Sequence, residues 1–435
     1  MKSRGITSLT LCALVAASIP AFAQWGTQAT LASNAYNGTV TIDSSGNLVS
    51  AWYQNALPNG TAVNEIWAST AAFGHPWSVP VNVSGPIGVA SGTPSVRGSA
   101  SGNATVVYTS PALGGTYADH PSGGSWTAPA STNGVNQLYV SNDNGDEGLA
   151  WGAGQTRVGA GYTSIGVVQR PAGGVWSSAT TIVTGAHLSL NSSLVAPDGS
   201  MAVAWESFNA VCGSRTCTTS NWVLHVSTRA AGAQSWVDSG PLLGPDSKQH
   251  FGQLAADAVG DLGVLTISGS NIVSLVRHGS SWTAPAVVAA TSVVSLTACA
   301  SDSAGHVTML GFDYHVSTIL GVDGNLTNNT WGQVASIIGS DQNPNYFRLA
   351  MSAKGTAIAF YSLVNFNGSN TVWRAVTRKG PGVAWNPPAT AGTSFDAGGM
   401  PDSVAVNGAG QAAVVFHGYS SDFLTNILYT NTYQP

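Results

Sequence analysis

The sequence predicts an all-β chain, a β-propeller of four-stranded blades, eight in number, closed by the N-terminal strand completing the C-terminal blade. Three observations predict it. A glycine turn between two apolar strands recurs along the chain. A tryptophan opening a short strand recurs between those turns. The two markers are out of phase at the chain ends.

The clearest glycine turn is Ile42-Asp43-Ser44-Ser45-Gly46-Asn47-Leu48-Val49. Equivalent glycines are Gly46, Gly102, Gly145, Gly199, Gly260, Gly305, Gly355 and Gly410, spaced 43 to 61 residues apart. Six residues on from each stand Trp52, Tyr108, Trp151, Trp205, Thr266, Gly311, Tyr361 and Phe416. Six of these eight are aromatic in a chain that is 9% aromatic, which chance does not give. Glycine suits such a turn because it reaches φ > 0 without a Cβ penalty. Asp43, Asp257, Asp302 and Asn407 lie three residues before the glycine, where a short polar side chain caps the turn backbone.

The tryptophan marker is clearest in Trp77-Ser-Val-Pro80, Trp126-Thr-Ala-Pro129 and Trp282-Thr-Ala-Pro285, with looser copies from Trp25, Trp176, Trp236, Trp331 and Trp385. Between the markers runs another apolar strand, ending at Arg170, Arg229, Arg277 or Arg378 in four copies. Each unit therefore holds strand A before the glycine, strand B after it, strand C beyond a variable loop, and strand D at the tryptophan. β-Branched residues and Gly, Asn and Ser turns dominate, with no helical period. Units of four short strands at this spacing are the propeller signature. One unit cannot cover its own two faces, so it stacks on neighbours, with the strand-D tryptophans expected between blades.

The chain opens on a D-type segment at Trp25 and ends on A, B and C strands around Val404, Val414 and Leu428. Glycine and tryptophan markers balance only if Trp25 completes the last unit. That pairing would leave no open ring edge, a feature that otherwise invites aggregation.

Lys2 and Arg4, the apolar stretch Leu9 to Ala21 and the small-x-small site Ala21-Phe22-Ala23 read as an export signal cleaved before Gln24. The expectation is residues 1–23 as signal peptide and 24–435 as one secreted domain, monomeric and without a membrane span. Charged residues make up 8% of the chain against a common ~25%, and the net charge of −5 offers no basic field for nucleic acid. The 43% hydrophobic content still permits a large core. Cys212 and Cys217 are spaced for a local disulfide in an oxidising compartment, and Cys299 sits in an apolar strand as a free thiol.

The C–D hairpins carry a resemblance. Ser227-Thr228-Arg229-Ala230-Ala231-Gly232 leads to Trp236, Arg170-Pro-Ala-Gly173-Gly174-Val175 to Trp176, and Arg277-His278-Gly279-Ser280-Ser281 to Trp282. This pattern resembles the S-x-D-x-G-x-x-W box of bacterial sialidase-like and BNR-type propellers across the mature chain. The glycine and tryptophan are kept and the aspartate is not. The resemblance implies the propeller fold. A sialidase activity would further imply an arginine triad, a Tyr–Glu nucleophile pair and an acid Asp.

A residue that recurs in register reads as scaffold, and a polar residue that breaks register reads as a site candidate. Arg170, Arg229, Arg277 and Arg378 recur and read as hairpin-turn residues. The acidic stretch Asn142 to Glu147 offers oxygen ligands for Ca2+, but lacks the alternation of an EF-type loop and occupies an ordinary A–B turn. No cofactor is expected. The B–C and D–A loops are expected to form the ligand rim. On it fall Glu206, Asp313 and Asp341 as candidate catalytic carboxylates, with His250, Tyr314, His315, Tyr346, Arg348, His417 and Tyr419 as candidate ligand-binding groups, joined by Arg97, which like Arg348 is expected in an innermost strand with its guanidinium toward the channel. Three functions follow. The first is an extracellular binding module for carbohydrate or a surface ligand, using aromatic faces and neutral hydrogen-bonding groups. The second is a sialidase-like glycoside hydrolase using two rim carboxylates. The third is a protein-interaction scaffold. The scarcity of Glu and the lack of a catalytic motif place binding first.

Overall fold

A computed structural model describes residues 24–435 except 57–62, 86–90, 100–101, 157–160, 214–215, 293, 314, 340–343, 365–369, 396–400 and 420–424. The export segment read at 1–23 lies outside the described residues. The chain is all-β, in antiparallel sheets of four, five, eight and nine strands. No helix among the described residues is long and apolar enough to cross a membrane.

The expected four-strand unit is the building block. In the Gly46 repeat, strands A to D are Ala35–Ile42, Asn47–Ala56, Val63–Ala72 and Val81–Asn82, hydrogen-bonded in that order. The larger sheets are such units joined. In the eight-stranded sheet one long strand, Thr180–Val195, pairs with Tyr162–Arg170 through its first half and with Met201–Cys212 through its second. It serves as strand D of one unit and strand A of the next. In the nine-stranded sheet the join is the single pair Phe395 and Tyr419.

The last unit holds Pro401–Val406, Ala412–Tyr419 and Asn426–Gln434. The chain start pairs with Asn426–Gln434: Trp25 lies opposite Tyr433, Thr30 opposite Tyr429 and Ser33 opposite Ile427. The inner strands also pack in sequence. Thr180–Val195 meets Gln253–Ala256, which meets Ala298–Ser301, then Pro344–Met351, then Pro401–Val406, which meets Ala35–Ile42. Leu31, Leu48, Trp52, Val415 and Leu428 form one buried cluster drawn from both ends of the chain.

The turn glycines hold φ between +79° and +116°, as the repeat predicts. Asp43 Oδ1 accepts from the amides of Ser45 and Asn47, and Asp257, Asp302 and Asn407 repeat that cap. The aromatic position of strand B is core, with Trp52, Tyr361 and Phe416 fully buried. Its two exceptions have local causes. A Cβ at Gly311 would stand 1.8 Å from the Ser295 carbonyl oxygen, so backbone occupies the place of a ring. At Thr266 the hydroxyl donates to the His250 carbonyl.

The strand-D tryptophans are less deeply buried than their inter-blade role suggested. Trp176 is buried, whereas Trp25, Trp282, Trp331 and Trp385 are half-buried. They lie over the end of strand C, and the interior positions belong to strand B and C aromatics such as Trp52 and Trp373. Cys212 and Cys217 are disulfide-bonded at the tip of the longest hairpin. Cys299 is free and half-buried, its Sγ facing the Leu254 carbonyl, and burial pushes its thiol up to about 12.

Candidate functional site

Glu206 and His250 come together as one buried group. Glu206 follows the core Trp205 on strand B, and His250 lies just before the next strand A, Gln253–Ala256. His250 Nδ1 lies 2.8 Å from Glu206 Oε1, which also accepts the His250 amide at 2.7 Å. Asn191 Nδ2 donates to Glu206 Oε2 at 2.8 Å. The other imidazole nitrogen, Nε2, lies 2.8 Å from Asp246 Oδ2, on a half-exposed side chain. Burial favours a neutral ring, but the hydrogen bonds to Glu206 and Asp246 outweigh it and raise the His250 pKa. Both oxygens of the Glu206 carboxylate are thus engaged and its side chain is 0% exposed. The arrangement ties one unit to the next. The neighbouring Phe251 is half-exposed at φ +57°, an uncommon backbone region for a bulky residue.

A second group gathers Asp402, His417 and Arg348. His417 Nδ1 lies 2.9 Å from Asp402 Oδ1. Burial raises the Asp402 pKa, with His417 and then Arg348 acting the other way. Arg348 is exposed and Tyr346 is 38% exposed on the same strand. Tyr419 is half-buried at the end of Ala412–Tyr419. Asp313 stands apart from both groups. Its Oδ1 accepts from the His315 amide at 2.8 Å and caps the B–C turn, leaving the His315 side chain exposed. No hydrogen bond joins Asp313 to Glu206 among the described residues. Tyr314 and Asp341 lie outside the described residues.

Arg97 is buried in an ionic network. Its Nη1 donates to the Gly145 carbonyl at 2.7 Å and to Glu147 Oε1 at 3.1 Å. Arg170 donates through Nε to Glu147 Oε2 at 2.6 Å and through Nη1 to Asp119 Oδ2 at 2.9 Å. Two arginines and two carboxylates balance, at a register where other units carry Leu48, Met201, Leu262 and Val307 in place of Glu147. The turn stretch Asn142 to Glu147 spends its oxygens here too. Asn142 Oδ1 accepts from the Gly145 and Asp146 amides, and Asp146 Oδ1 from the Ala172 amide.

The strand-C arginines are more than hairpin-turn residues, and sequence reading missed their partners. Arg170 reaches back one unit to Asp119 and Thr105 while its guanidinium lies 5.3 Å from the Trp176 ring. Arg378 reaches back to Asp323 and Thr308 in the same way, 4.7 Å from the Trp385 ring. Arg277 reaches back to Thr228, and Tyr433, over Trp25, to Thr377. The signal was present in the sequence: the residue preceding the strand-C arginine register is Asp119, Thr228, Asp323 or Thr377 in the unit before.

Clefts open between units at the end that carries the A–B and C–D turns, opposite the expected rim. One of about 390 Å³ lies between the Gly46 and Gly102 repeats, lined by Asn47, Thr70, Ser78, His120 and Ser122. The next junction holds one of about 260 Å³, lined by Ser99, Asn103, Asp119, His120, Asn144 and Arg170. A third, of about 310 Å³, lies between the Gly199 and Gly260 repeats, lined by Thr228, Ser239, Arg277, Ser280 and Trp282. Burial lowers the His120 pKa, favouring a neutral ring that both donates and accepts. No cluster of three or more metal-ligating side chains occurs among the described residues.

No family model matches this chain, and no curated protein matches it in sequence. Among solved structures it is similar to the BP39L lectin of Burkholderia pseudomallei, with a TM-score of 0.49 and 12% identity over 84% of this chain and 100% of that one. It is similar to a protein of unknown function from Dyadobacter fermentans, with a TM-score of 0.44 and 11% identity over 94% and 98% of the two chains. It is also similar to the NanB sialidase of Streptococcus pneumoniae, with a TM-score of 0.34 and 13% identity over 94% and 70%.

Proposed function

We propose that this chain is a secreted, eight-bladed, closed β-propeller that binds glycans in clefts between adjacent blades. Support for the ring comes from the eight turn glycines, the inner strands packing in sequence, and Gln24–Trp25 and Ala29–Ser33 lying along Asn426–Gln434. Support for export comes from the segment before Gln24. The observation that carries the glycan reading is the recurrence of clefts at equivalent junctions, each with half or more of its lining made of hydroxyl, amide and small side chains. Such groups match the hydroxyls of a sugar, and in the third cleft the half-buried Trp282 supplies an apolar face. Binding is favoured over hydrolysis because Glu206 holds neither oxygen free and Asp313 caps a turn. A general acid needs access to the leaving oxygen.

The test is a glycan array probed with residues 24–435. The expected result is retention of a restricted set of glycans, lost on adding the free sugar. A blank array with folded protein would overturn the reading in favour of a protein-interaction scaffold.

A further inference from the structure

The junctions differ in one respect that points to a ligand. At Arg170 and at Arg378 the guanidinium is met by a carboxylate of the preceding unit, Asp119 and Asp323. At Arg277 the same register carries Thr228, and at Arg229 it carries Gln169. Arg277 Nη1 donates to Thr228 Oγ1 at 2.7 Å, and its Nε is buried without a hydrogen-bond partner. Arg229 Nε is likewise buried and unpartnered, and so is that of the carboxylate-paired Arg378, so the difference between the junctions is the missing carboxylate alone. Neither arginine forms an ion pair among the described residues. The nearby acids hydrogen-bond other groups, while Asp198 and Asp261 act on Arg277 through their charge alone and Asp238 lines the larger cleft. Asp198 Oδ1 accepts from Ser200, Asp261 pairs with His278 at 2.9 Å, and Asp238 faces His225 at 3.4 Å. Burial lowers the pKa of both arginines, and for Arg277 it outweighs Asp198 and Asp261. Thr228 and Arg277 line both the cleft of about 310 Å³ and a smaller one of about 70 Å³ that extends toward Arg229 and Asp198.

We infer that this junction is an acidic-sugar subsite, where a ligand carboxylate sits on Arg277 in the place that Asp119 and Asp323 take on the other two arginines. Trp282 lines the same cleft, and Thr228 and Ser280 offer hydroxyls to the sugar ring. A guanidinium takes a carboxylate through two parallel hydrogen bonds, which a neutral hexose cannot reproduce. The assignment rests on the glycan-binding reading and adds the chemical class of one cleft.

Calorimetric titration of residues 24–435 with glucuronate, N-acetylneuraminate, glucose and inorganic sulfate tests it. At least one acidic sugar is expected to bind tenfold or more tighter than glucose or sulfate. Thr228→Asp installs the resident carboxylate of the other junctions. It is expected to abolish that preference while leaving the melting temperature equal or higher, so loss of binding is not loss of fold. Arg277→Gln is expected to remove the preference as well. Acidic sugars no tighter than glucose, sulfate as tight as glucuronate, or unchanged binding by Thr228→Asp would each overturn the subsite. Neutral glycans retained on the array under those outcomes would leave the broader reading standing.

Discussion

Replacing Glu147 by Leu tests whether the buried ionic network holds its two units together. The side chains of Glu147, Arg97 and Arg170 are 0%, 7% and 9% exposed, so water cannot replace a lost partner. The substitution removes the 3.1 Å bond from Arg97 and the 2.6 Å bond from Arg170. Arg170 keeps Asp119 and Thr105, whereas Arg97 keeps only the Gly145 carbonyl. Removing one partner of a buried pair costs about 3–5 kcal/mol, because a charge is left uncompensated, while replacing both partners by apolar groups is often neutral. The Arg97 register carries Val140, Leu194 or Ala255 in other units, so that face accepts apolar side chains. Glu147→Leu should therefore lower the urea midpoint strongly, and Arg97→Leu with Glu147→Leu should recover most of the loss. Tryptophan fluorescence during urea unfolding at neutral pH reads both. A single variant as stable as the parent, or a double variant as unstable as the two singles added, would refute the reasoning.

Three further outcomes follow from the same packing. Leu31→Ala, which empties a buried place in the cluster shared by the chain ends, should cost about 2–5 kcal/mol by urea melt. Gly311→Ala should destabilise by about 1–3 kcal/mol through its 1.8 Å clash with Ser295, while Gly380→Ala, with nothing near its Cβ and no positive φ, should cost clearly less in the same thermal scan. Because the folded pKa of His250 is raised, its stabilisation is complete below the unfolded value of about 6.5 and is lost as pH rises through the folded pKa. The stability difference between the parent and His250→Gln should shrink over that rising-pH window, and a difference constant with pH would remove the charged-ring assignment.

Period and phase carried the strand framework. Gly46 and its equivalents announced positive-φ turns, and Trp52 and Phe416 announced an interior, because both features depend on local backbone and apolar burial. What period cannot show is contact between units. Asp119 and Arg170 are 51 residues apart, and their meeting depends on how neighbouring sheets face each other. The same limit applies to Glu206. Its position after Trp205 was visible, but its partner His250 lies 44 residues on, and only the fold reveals that the pair is sealed from solvent. The clefts follow the C–D turns, where Gly173, Gly279 and their neighbours leave room beside the strand-C arginines, so the long B–C loops drew attention to the opposite end.

The central claim is that the first strands of the chain complete the sheet of the last. Ser33 lies opposite Ile427 in that pairing. Ser33→Cys with Ile427→Cys, oxidised and mapped by peptide mass spectrometry, should give a disulfide within one chain at high yield in the monomer. Free thiols at both positions, or a bridge formed only between chains, would contradict the closed ring.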